Sequence, residues 1–286
     1  MNRTQTWTRN GFARLETLFH TANGYLGVRA APEEGAAEGV DSIRGTYINA
    51  FYEIKDVRYG EKLYGFPDTQ QVMVNVPDTQ TVRLAAGEER FSMFLPQVTE
   101  RVQTLDMRAG GTVRRCLWHT VQGDLRVEVR RMTSFRRRGL FLLRYRVTSE
   151  GFSGGVRLNA VLNAGVKNHA AANDPRVAAE PLQCLAVRGV GFDGEQAFAL
   201  ADTLRSGLSL CCRAAYECRW ERQTARTETE TDTTFVGTLG VGDSAELTVY
   251  AWYADSRREK DPAAAARAAL ADCVHAGAKA LVREQE

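Results

Sequence analysis

The feature that most limits the possible folds is a period of two, repeated many times between short turns. It is cleanest at Leu125–Met132, where Leu125, Val127 and Val129 share one face and Arg126, Glu128 and Arg130 the other. Strand side chains point alternately to opposite sides, so this run predicts a strand with one apolar and one wet face. Further strands are expected at Val72–Val76, from Thr81, at Thr99–Met107, Thr112–Val121, Leu140–Thr148 and Val156–Asn163. The series continues at Leu185–Gly189, Gln196–Ala201, Leu208–Ala214, Glu217–Gln223, Thr233–Leu239 and Ala245–Tyr253. Pro77-Asp78, Gly110-Gly111 and Gln122-Gly123-Asp124 supply turns. So many short strands with no long helix between them predict an all-β, antiparallel fold, a large two-sheet sandwich rather than a small barrel.

The ends of the chain depart from this pattern. Leu15, Leu18 and Phe19 are apolar, and Asn23-Gly24 then breaks the run as a tight turn. Tyr25–Arg29 follows as a short strand in which Gly27 suggests a close backbone approach. Phe12 to Tyr52 is expected to hold only strands and turns. From Tyr59 to Met73 the aromatics fall at no period, and a long structured loop is predicted. At the other end, Asp261-Pro262 carries a helix-start signal, Ala263–Ala276 continues it and Gly277 ends it. Ala266, Leu270, Cys273 and Val274 form a narrow apolar stripe, and Ala278–Glu286 suits a second short helix.

Composition narrows the function. The chain has 286 residues, 44% of them hydrophobic, enough for a packed core. A net charge of +2 gives no case for nucleic acid or a membrane as a global partner. Asn2–Trp7 is polar and no apolar run spans a bilayer, so neither a signal peptide nor a membrane span is expected. The six cysteines form no Cys-x-x-Cys, and Cys211-Cys212 lies in a strand that sends neighbours to opposite faces. Reduced thiols and a cytoplasmic location are the expectation.

Candidate chemistry meets a structural alternative at each point. Gly189–Gly194 spells a dinucleotide fingerprint, but strand-like Glu195–Leu200 follows where a phosphate-holding helix is required, so Phe192-Asp193-Gly194 reads as a hairpin turn. His119 and His169 with Glu128 would suit a mutarotase only if the fold gathers them. Glu33-Glu34 and Glu228/Glu230/Asp232 have the residue types of a glycosidase pair. The first lies in a Gly/Ala-rich loop with no apparent apolar shell, and Thr224–Thr234 reads as a solvated segment. Between Arg101 and Glu150 stand 12 arginines against 4 acids, an anion site or the wet face of a sheet. No catalytic, cofactor-binding or metal residue is assigned, and no cofactor is expected.

Several motifs carry a family resemblance. Glu16-Thr-Leu-Phe19, Asn23-Gly-Tyr-Leu-Gly-Val-Arg29, Glu33-Glu34-Gly35 and Gly45-Thr-Tyr-Ile-Asn49 occur in order. Tyr64–Pro67, Val74–Val76, Thr104–Arg108 and Arg130–Phe135 follow. The chain resembles the N-terminal domain of glycoside hydrolase family 65, which includes maltose, kojibiose and trehalose phosphorylases and related hydrolases. The resemblance implies a super-sandwich of galactose mutarotase type over residues 1–255 and a helical linker at 256–286. It also implies a downstream (α/α)6-barrel, the missing catalytic partner, holding the catalytic acid and the phosphate loop. The full enzyme is thus expected to act on an α-linked disaccharide with phosphate and to form a homodimer, this chain alone being non-catalytic.

Two other classes remain in view: a carbohydrate-binding module using Tyr47, Tyr52, Tyr64 and Trp118, and a stand-alone mutarotase or epimerase. Tyr47, Phe51, Tyr52, Tyr59, Tyr64 and Phe66 are the candidate interface, either an exposed patch or a loop-covered satellite core.

Overall fold

The computed structural model describes residues 2–6 (backbone only), 11–57, 61, 63–170 and 181–285. Tyr59 and Trp7 lie outside the described residues. The first elements are β1 (Asn2–Thr6), α1 (Phe12–Leu18), β2 (Thr21–Ala22), β3 (Leu26–Val28), β4 (Thr46–Asp56), β5 (Thr69–Asn75), β6 (Asp78–Ala86) and β7 (Glu89–Arg90). Next come β8 (Val98–Asp106), β9 (Gly111–Thr120), β10 (Gly123–Thr133), β11 (Leu140–Ser149) and β12 (Gly154–Asn163). The last are β13 (Leu185–Asp193), β14 (Gln196–Thr203), β15 (Ser209–Glu217), β16 (Glu221–Arg226), β17 (Glu230–Leu239), β18 (Ser244–Asp255), α2 (Pro262–Ala276) and α3 (Ala278–Arg283).

The strands form a nine-stranded sheet in the order β1-β8-β9-β10-β11-β18-β15-β14-β13, a five-stranded sheet β16-β17-β12-β6-β7 and a four-stranded sheet β2-β3-β4-β5. Paired strands run antiparallel, as in β10 with β9 and β11. One buried cluster joins Ile48 and Phe51 of the four-stranded sheet, Leu84 and Leu158 of the five-stranded sheet, and Val127, Leu143 and Val249 of the nine-stranded sheet. The two smaller sheets therefore pack on the inner face of the long one, and the fold is the expected all-β sandwich.

Some strands alternate imperfectly because both of their faces are covered. In β11, Phe141, Leu143 and Tyr145 enter the sandwich core. Leu140 and Leu142 point outward under Leu270 and Cys273 of α2 and Leu281 of α3. Cys212 likewise faces the core, while Cys211 packs with Ala266 of α2. The helix α2 begins as its sequence signals require: Asp261 accepts from the Ala264 N–H at 3.0 Å and Pro262 follows. Two bonds of 2.9 Å from Arg137 to Glu284, and one from the Phe135 N–H to Gln285 Oε1, fasten the end of α3 to the β10–β11 turn.

Four local expectations change. Phe12–Leu18 is a helix, with Phe12, Leu15 and Glu16 on its buried side. Its start carries no side-chain cap, so the sequence lacked the usual punctuation. The loop expected up to Met73 gives way to β5 at Thr69. Within Thr224–Thr234, Thr231 and Thr233 are buried by the alternation of β17. A Cβ on Gly27 would meet only Ala22 Cβ, at an ordinary 3.8 Å, so no close backbone approach exists there. The Asn23-Gly24 turn is present, with Gly24 at φ 86°. Asn23 Oδ1 accepts from the Tyr25 and Leu26 N–H groups, and its amide donates to Ser134 O and Arg138 O.

Candidate functional site: a buried carboxyl pair clamped by arginine

The segment after β3 runs over the core and lies beside the free part of β6, where the Val82 N–H donates to Glu33 O at 3.1 Å. This places Glu33 and Glu34 between the sheets, their side chains 2% exposed. The strands beneath supply the partners. In β9 and β10 alternation sends Arg114 and Arg131 inward, in step with Cys116 and Val129. Arg114 Nη2 donates to Glu33 Oε2, and to Glu34 Oε1 at 2.8 Å. Arg131 Nε donates to Glu33 Oε1 at 3.0 Å, and its Nη2 reaches Ala31 O at 2.7 Å. Tyr145 Oη of β11 donates to Glu34 Oε1 at 2.6 Å. Beside them Arg44 bridges Pro32 O, Asp78 and Thr81, each at 2.8 Å.

The two carboxyls are driven in opposite directions. Burial opposes ionisation of Glu33, but Arg114 and Arg131 outweigh it and hold the group below the ordinary carboxylate range. Burial also raises Glu34, and one shared guanidinium beside an ionised Glu33 does not restore it. Burial and the Glu34 charge push Tyr145 well above its usual value, so it remains a donor. Oppositely shifted carboxyls are the pattern of an acid and a base. Here, however, Arg114 holds both, and the space beside Glu33, Arg114, Arg131 and Gln103 is about 10 Å³, room for one water. The arrangement ties the loop to the sheets.

This overturns the expectation that Glu33-Glu34 has no shell to shift a pKa: the shell comes from strands far along the chain. It also divides the arginine-rich region. Arg115 and Arg130 meet Glu128 on the wet face, and Arg126 meets Glu100 and Glu150, while Arg114 and Arg131 are inside. The available signal was the pair of Arg-Arg doublets, since adjacent residues of a strand cannot both face solvent.

Other predicted residues do not converge. His119 contacts Thr99 and Asp124, and Glu128 is held by arginines. Gly194 lies in the β13–β14 turn, not at a helix start. Trp118 is 1% exposed and leaves the proposed sugar face. Phe51 is fully buried in the main core, so it contributes no surface to an interface. Tyr47 and Tyr52 are half-buried on β4, Tyr52 with Arg257 over its ring at 5.7 Å. Tyr64 and Phe66 are exposed, as are Leu63 and Met73. Among the described residues, no group of three or more His, Cys, Asp or Glu side chains is placed to hold a metal ion, and no helix is long and apolar enough to cross a membrane.

The family model for the glycosyl hydrolase family 65 N-terminal domain matches residues 3–286. The chain belongs to that family. This family 65 domain is 36% identical over 249 residues to an alpha,alpha-trehalose phosphorylase of Geobacillus stearothermophilus, covering 86% of the chain and 32% of that protein. It is 25% identical over 187 residues to a kojibiose phosphorylase of Halothermothrix orenii, covering 64% of the chain and 22% of that protein. The chain thus spans about a third or less of the length of these relatives. Its fold is shared with a solved structure described as a putative kojibiose phosphorylase from human microbiome, with TM-score 0.84 and 16% identity. That match covers 99% of this chain and 37% of the other.

Proposed function

We propose that this domain is the non-catalytic N-terminal part of an inverting family 65 phosphorylase or hydrolase that acts on an α-linked disaccharide. The observation that carries the reading is the 36% identity to a trehalose phosphorylase over most of this chain. In a phosphorylase of this kind, phosphate attacks the anomeric carbon while a glutamic acid in a following (α/α)6-barrel protonates the leaving oxygen. Residues 1–255 act as the sandwich that braces the barrel, and 256–286 lead toward it from the outer face of the long sheet. The enzyme works as a cytoplasmic homodimer.

The tests separate the parts of this reading. Incubated with phosphate and trehalose, kojibiose or maltose, the 286-residue chain should release no glucose 1-phosphate above buffer, and the full-length polypeptide should release it from one of them. Release by the chain alone would overturn the non-catalytic assignment. The exposed loop bearing Tyr64 and Phe66, together with Tyr52 and Tyr47 of β4, is the proposed interface. The Tyr64→Ser/Phe66→Asp variant should stay folded and elute as a smaller species in size-exclusion chromatography. Unchanged assembly, or unfolding, would reject the interface.

A further inference from the structure

The outer face of the five-stranded sheet carries a cleft that meets the clamp only at Glu34. Its volume is about 480 Å³, within the range of small-molecule sites. Strand register explains its shape. Arg157 of β12, Ala85 of β6 and Arg90 of β7 are direct neighbours across the sheet, so two arginines flank an alanine. Arg83 lies two residues from Ala85 on the same face, roughly 7 Å along the strand. It neighbours Asn159, which in turn neighbours Thr234. The small Ala85 side chain leaves open space in the middle of three long cationic ones. Phe91 and Glu34 line the cleft as well.

The charges here differ from those on the outer face of the long sheet's central strands β9, β10 and β11. Arg115, Arg126, Arg130, Arg144 and Arg146 each meet a carboxylate within 3.0 Å. Among the described residues, no carboxylate stands within ion-pair distance of Arg90 or Arg157, and Arg83 has only Asp232 at 3.7 Å. The carboxyl of Glu34 is already taken by Arg114 and Tyr145. The cleft therefore holds unneutralised guanidiniums around a concave floor. Planar arginine forks favour oxyanions with several acceptor oxygens, phosphate above all. Asn159 accepts from Arg83 at 3.3 Å and donates to Thr234 Oγ1 at 2.9 Å and to Asp232 at 3.2 Å, so it fixes the far wall of the cleft.

We propose that Arg83, Arg90 and Arg157 form a binding site for a phosphate oxyanion, seated over Ala85 on the outer face of the five-stranded sheet. The oxyanion is either free phosphate or the phosphate group of a sugar monoester. The site lies within this domain and does not depend on the activity proposed for the whole enzyme.

Isothermal titration calorimetry of the 286-residue chain at low ionic strength tests it, with sodium phosphate and glucose 6-phosphate as separate probes. Saturable one-to-one binding of at least one is expected. Tighter binding of the sugar ester identifies the monoester as the ligand, and equal or tighter binding of phosphate identifies the free ion. The Arg90→Ala/Arg157→Ala variant removes two charge-assisted contacts from an exposed surface and should weaken binding about tenfold or more. Ala85→Leu keeps every arginine but fills the floor, and should weaken it as well. Circular dichroism should be unchanged in both. No saturable heat with either probe up to about 10 mM would overturn the proposal. So would unaltered affinity in the arginine variant.

Discussion

Two constellations in this domain are chemically alike and physically opposite. Each places one glutamate between two arginines contributed by β9 and β10. On the outer face, Glu128 accepts from Arg115 at 2.6 Å and from Arg130 at 2.7 Å, with the arginine side chains about half exposed. Inside, Glu33 accepts from Arg114 and Arg131, whose side chains are 6% and 5% exposed. The same two Arg-Arg doublets supply both sets, because a strand turns neighbours to opposite sides. What differs is water. Outside, solvent replaces either partner and the pair is worth about 0–1 kcal/mol. Inside, each ion has lost its hydration, so the intact set is close to balanced and an incomplete one is costly.

The largest expected effect comes from Glu33→Gln, which leaves two buried guanidiniums facing a neutral amide. The loss of stability should be about 3–5 kcal/mol, read from urea unfolding. A loss below about 1 kcal/mol would mean that the arginines regain water, and the contrast between the two faces would collapse.

The next effect separates Glu33 from Glu34 by pH. The folded-state pKa of Glu33 lies below its ordinary value of 4.5, so its contribution is complete above that value and is lost as pH falls through the lower one. Glu34 is shifted upward, so the folded state binds its proton more tightly than the unfolded state does. Its effect is absent of penalty below 4.5, and stability declines as pH rises toward the raised value. Glu34→Gln should therefore flatten the loss on the neutral side of 4.5, while Glu33→Gln removes stability there. Parallel pH profiles for the two variants would contradict the assignment.

The smallest effect belongs to the outer set. Glu128→Gln should cost less than about 1 kcal/mol, and the cost should shrink as salt rises from low ionic strength to about 0.5 M.

How much of this was legible in the sequence follows from the range of the interactions. Strands such as β10 and the helix α2 announce themselves locally, through a clean period of two or through Asp261-Pro262. The imperfect alternation of Leu140–Thr148 was visible, but its cause lies in helices more than a hundred residues later. α1 was missed because seven residues with no cap give little signal. The clamp was missed for a different reason. Glu33-Glu34 sits in a loop whose sequence neighbours are Ala, Pro and Gly, with no large apolar side chain, and its arginine and tyrosine partners come from β9, β10 and β11. The doublets Arg114-Arg115 and Arg130-Arg131 hold the missing information, because neighbours on a strand face opposite sides; the charge count alone offers only an anion site or a wet face. The aromatic stretch from Tyr47 to Phe66 misled in the opposite sense. Its described rings divide between strand β4, where Phe51 enters the core, and exposed Tyr64 and Phe66.

The most direct test is a pair of double-mutant cycles measured by urea unfolding, Glu33→Gln with Arg131→Met and Glu128→Gln with Arg130→Met. The inner pair should couple by at least about 2 kcal/mol, with little dependence on salt. The outer pair should couple by less than about 1 kcal/mol at low salt and by less again at high salt. Equal coupling energies with the same salt dependence would contradict the claim that burial, set by strand alternation, distinguishes the two sets.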